Sequence, residues 1–83
     1  MSKIQEEERV VDVAIEVGKR LQRTNHGTEE DLGTINSAIE IVSRWPAIWS
    51  VQSSDVQERT LKRKKEEVEA FQVLAYHVVF SQR

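Results

Sequence analysis

Apolar residues fall along the chain with a helical rather than an alternating period. Over residues 4–23 they stand at Ile4, Val10, Val11, Val13, Ala14, Ile15, Val17 and Leu21. At 100° per residue these positions occupy one arc of about 200°, with Asp12, Glu16, Lys19, Arg20 and Arg23 opposite. That arc is wide enough to meet two neighbours. The β-branched residues favour strand mildly, but Val10-Val11-Asp12-Val13-Ala14-Ile15 does not alternate. Charge order decides for helix, since Glu6, Glu7 and Glu8 lie near the start and Lys19, Arg20 and Arg23 near the end, as the helix dipole prefers.

Thr24-Asn25-His26-Gly27 breaks the pattern, with Asn25 or Gly27 suited to the left-handed residue that ends a helix. Thr28 is the expected N-cap of a second helix over residues 28–45, because Glu29, Glu30 and Asp31 fill its first turn with acid. This helix carries Leu32, Ile35, Ala38, Ile39, Ile41, Val42 and Trp45 on one side. Pro46 disfavours helical geometry at Trp45, so residues 46–53 read as a linker in which Pro46 opens at most a short turn.

A third helix is expected over residues 54–82, capped by Ser53 or Ser54, with Ser54 and Gln57 at capping-box spacing. At about 28 residues, or about 42 Å, it overhangs the other two. Its second half has a core stripe of Val68, Phe71, Ala75, Val78 and Val79, and a separate flank of Val73, Tyr76 and Phe80. Its first half offers Val56 and Leu61 among charges and reads as either a solvated arm or one side of a subunit contact. The expected fold is therefore all-α, one three-helix domain with a long C-terminal helix, associating through that helix as a homodimer.

Size sharpens the need for a second chain. At 83 residues a single core is marginal without some further staple. The absence of cysteine excludes a disulfide or zinc–thiolate cluster and fits a cytoplasmic setting. No apolar run approaches the roughly 20 residues of a membrane span, and the N-terminus lacks the pattern of a secretory signal. A net charge of −2 argues against a dedicated binder of phosphate backbones.

Candidate chemistry is sparse. Lys62-Arg63-Lys64-Lys65, with Arg59, is the one basic run and the expected contact if the chain binds nucleic acid. Glu58, Glu66, Glu67 and Glu69 stand four residues from its members, which favours a salt-bridged surface instead. The stretch from Gly27 to Thr34 is glycine-bounded but has three carboxylates and no Lys where a phosphate loop needs one. His26 and His77 form no metal-ligand pair, and no nucleophile stands in a catalytic motif. A magnesium-dependent nucleotide hydrolase would need Glu66, Glu67 and Glu69 to face Asp12 and Glu16; those two lie opposite the apolar stripe and are expected to meet water. The resulting expectation is a non-enzymatic interaction protein with no cofactor and no metal. It binds another protein or itself, through Trp49, Val73, Tyr76 and Phe80, with nucleic-acid binding and nucleotide hydrolysis as the alternatives.

Overall fold

In a computed structural model, the chain forms three helices, α1 (Lys3–Thr24), α2 (Glu29–Gln52) and α3 (Asp55–Ser81). The structure describes the backbone of residues 3–52 and 55–81, and the side chains of residues 5–46 and 58–81. Among the described residues there is no strand. The proposed caps Ser53 and Ser54 lie outside them, as do the side chains of Val56 and Gln57.

Cross-helix pairs fix the directions. Glu7 meets Arg44 and Arg20 meets Asp31, so α1 and α2 are antiparallel. Lys64 meets Glu8 and Asp12 while Phe71 lies against Gly18, so α1 and α3 run parallel. Each helix packs on both others. Val11, Ala14, Ile15 and Leu21 of α1 enclose the core with Ile35, Ala38, Val42 and Trp45 of α2 and with Leu61, Val68, Ala75 and Val78 of α3. Two members of the expected α1 arc, Val10 and Val13, stay 41% and 53% exposed, because the two neighbours cover less than the full arc.

The turn after α1 settles which residue is left-handed. Asn25 takes φ 53° and donates its N–H to the Leu21 carbonyl at 2.8 Å. Gly27 is needed for space instead, since a Cβ there would strike Leu21 Cδ2. Thr28 caps α2 as expected, and Asp31 completes a reciprocal box: Asp31 N–H donates to Thr28 Oγ1 at 3.1 Å, and Thr28 N–H donates to Asp31 Oδ2 at 3.0 Å. Partial burial pushes the Asp31 carboxyl up, but the Arg20 guanidinium and Thr28 outweigh it and hold the group below its ordinary value.

This sets a pH dependence. The unfolded chain binds more protons than the folded one between the two Asp31 values, so the contribution is full above the ordinary carboxylate range and is lost as pH falls through the folded value. Asp31→Ala is therefore expected to cost about 1–2 kcal/mol at neutral pH, a penalty that shrinks as the pH falls below the ordinary carboxylate range. Urea unfolding of both proteins across that range measures it; a penalty independent of pH contradicts the ionic part.

Two expectations are corrected. The helix does not stop before Pro46: α2 runs through it to Gln52, and the linker over residues 46–53 is replaced by helix as far as Gln52. Proline's fixed φ is helical, so what is lost is one hydrogen bond, to the Val42 carbonyl, and the comfort of Trp45 before it. Trp45, 1% exposed, keeps the helix in phase on the core through that point. The second correction follows. With 24 residues in α2 against 27 in α3, the overhang shrinks to about 5 Å. The described first half of α3 is no projecting arm either, since Leu61 is buried and Lys64 reaches α1.

Gly33 sits within α2, where an added Cβ meets nothing within 4 Å. Gly33→Ala is expected to stabilise the protein by about 0.5–1 kcal/mol through reduced backbone entropy of the unfolded chain. Thermal unfolding reads this as a midpoint raised by a few degrees; a lowered midpoint contradicts the open surroundings.

Candidate interaction surface

The inward side of α3 carries Leu61, Lys64, Val68, Phe71, Ala75 and Val78 at alternating spacings of three and four, and Leu61, Val68, Ala75 and Val78 enter the core with Val79. Val73, Tyr76 and Phe80 fall out of that phase and turn outwards, 71%, 42% and 48% exposed. The Tyr76 and Phe80 rings stack with centroids 5.7 Å apart and an interplanar angle of 13°. Beside them Gln72 Nε2 donates to Asn36 Oδ1 at 2.9 Å, tying this edge of α3 to α2. The result is an apolar face on a helix already anchored on its opposite side. Trp49, grouped with these residues on sequence grounds, lies on the backbone of α2, and its side chain falls outside the described residues.

The basic run divides. Arg59, Lys62 and Arg63 are exposed. Lys65 pairs with Glu69 at 3.0 Å, as the i,i+4 spacing predicts. Lys64 turns inwards, its ammonium 2.5 Å from Glu8 Oε2 and 2.9 Å from Asp12 Oδ1. Burial lowers its pKa, but the two carboxylates more than compensate and keep it above the ordinary lysine value. The charge is thus fixed and internally satisfied. Two of the five cations are engaged by the protein itself, and the remaining three share their surface with acids.

An open groove of about 490 Å³ follows the α1–α3 seam, lined by Asp12, Glu16 and Lys19 of α1 and by Arg63, Lys64 and Glu67 of α3. Asp12 and Glu16 meet water as their place opposite the apolar stripe implies, with side chains 53% and 76% exposed; both also border this groove, and Asp12 pairs with Lys64 of α3. Their carboxylates, with that of Glu67, line a groove whose cations are Lys19, Arg63 and Lys64. Opposite charges alternate there, which gives neither an anion nest nor an acidic cage. Among the described residues no three His, Cys, Asp or Glu side chains lie close enough to hold a metal ion. Both histidines are exposed.

Glu7 is the functional-looking residue that the sequence reading did not single out. It is 8% exposed, with Oε2 accepting from Arg44 at 3.0 Å and Oε1 buried without a hydrogen-bond partner among the described residues. Its position was visible in principle: Glu7, Val11, Ala14, Gly18 and Leu21 repeat at four and three, so Glu7 lies in register with the core.

No described helix is long and apolar enough to cross a membrane. Comparison of the chain with protein-family models, with curated proteins and with solved structures found no match.

Proposed function

We propose that this chain is a small non-enzymatic helical interaction protein, a regulator, adaptor or inhibitor that acts by binding another macromolecule, in the first instance a second copy of itself, through the outer face of α3. The supporting observation is the exposure of Val73, Tyr76 and Phe80 together, at i, i+3 and i+7, on a helix whose other side is already spent on the core. Aromatic side chains carry much of the energy of protein interfaces, and the stacked Tyr76–Phe80 pair offers such an anchor. A cytoplasmic setting accords with a chain that has no cysteine. The engagement of Lys64 and Lys65 weighs against the nucleic-acid alternative, and the mixed charges of the α1–α3 groove weigh against magnesium-dependent hydrolysis.

Sedimentation of the wild type and of the double variant Val73→Lys/Phe80→Lys tests the reading. The wild type is expected to sediment as two chains at micromolar concentrations, and the variant as one, with helical circular dichroism unchanged because the replaced side chains lie outside the core. A one-chain wild type at all concentrations overturns self-pairing. An unchanged two-chain mass in the variant overturns the α3 face. Tight duplex binding that is lost on changing Arg59, Lys62 and Arg63, and that weakens steeply with salt, moves the function to nucleic acid.

A further inference from the structure

We draw no further inference here: the strongest candidate, the exposed apolar face of α3 formed by Val73, Tyr76 and Phe80, already carries the function proposed above, and nothing in the structure shows what covers it.

Discussion

Trp45→Ala is expected to remove a large share of the protein's stability. Trp45 is the largest fully buried side chain among the described residues, 1% exposed, and it packs into the core where α2 passes Pro46. Truncating a buried tryptophan to alanine costs about 3–5 kcal/mol, through lost apolar burial and the cavity left behind. A chain of this length has a total stability of about 4–12 kcal/mol. The substitution therefore removes a large share of the whole. It also frees the helix beyond Pro46, since the contact that keeps α2 in phase past the missing hydrogen bond is gone.

A second variant separates packing from polarity at the same position. Trp45 Nε1 is buried with no hydrogen-bond partner among the described residues, an arrangement that costs about 1–3 kcal/mol. Trp45→Phe gives up part of the packing but also removes this orphan donor, so its penalty is expected to be about 1 kcal/mol or less. Urea unfolding followed by circular dichroism measures both. A loss below about 1 kcal/mol for Trp45→Ala contradicts the assignment of this residue as a keystone of the core. A loss for Trp45→Phe as large as for Trp45→Ala contradicts the cost assigned to its indole N–H.

The same residues show how much the sequence discloses. Three helices, the cap at Thr28 and the outward turn of Val73, Tyr76 and Phe80 are legible because each rests on local chemistry or on phase along one helix. The extension of α2 through Pro46 was hidden because a local rule, the steric cost at the residue before proline, was overridden by the tertiary burial of Trp45. Glu7 and Lys64 are charged by type, yet each stands in register with apolar core positions. What residue type conceals is a partner on another helix: Arg44 for Glu7, and Glu8 with Asp12 for Lys64.

Gly18→Ala is expected to destabilise the protein even though alanine is the better helix former. Gly18 lies on the core side of α1, and a Cβ built there falls within 2.7 Å of Phe71 Cδ1 and closer still to Cγ. These atoms belong to the root of the ring, so the clash is relieved by moving the whole side chain or by separating α1 from α3. Overpacking of this kind costs about 1–3 kcal/mol. Against it stands a helix-propensity gain of up to about 1 kcal/mol. The clash wins, for a net loss of about 1–2 kcal/mol. Removing the ring removes the clash: in a Phe71→Ala background the ring atoms nearest to the new Cβ are gone, and Gly18→Ala is expected to be neutral or stabilising by up to about 1 kcal/mol. The double-mutant cycle thus carries a coupling of about 2 kcal/mol. Denaturant midpoints of the four proteins provide it. Additive effects would contradict the close approach of Phe71 to Gly18, and with it the parallel docking of α3 on α1 that holds Lys64 beside Glu8 and Asp12 and leaves Val73, Tyr76 and Phe80 facing outwards.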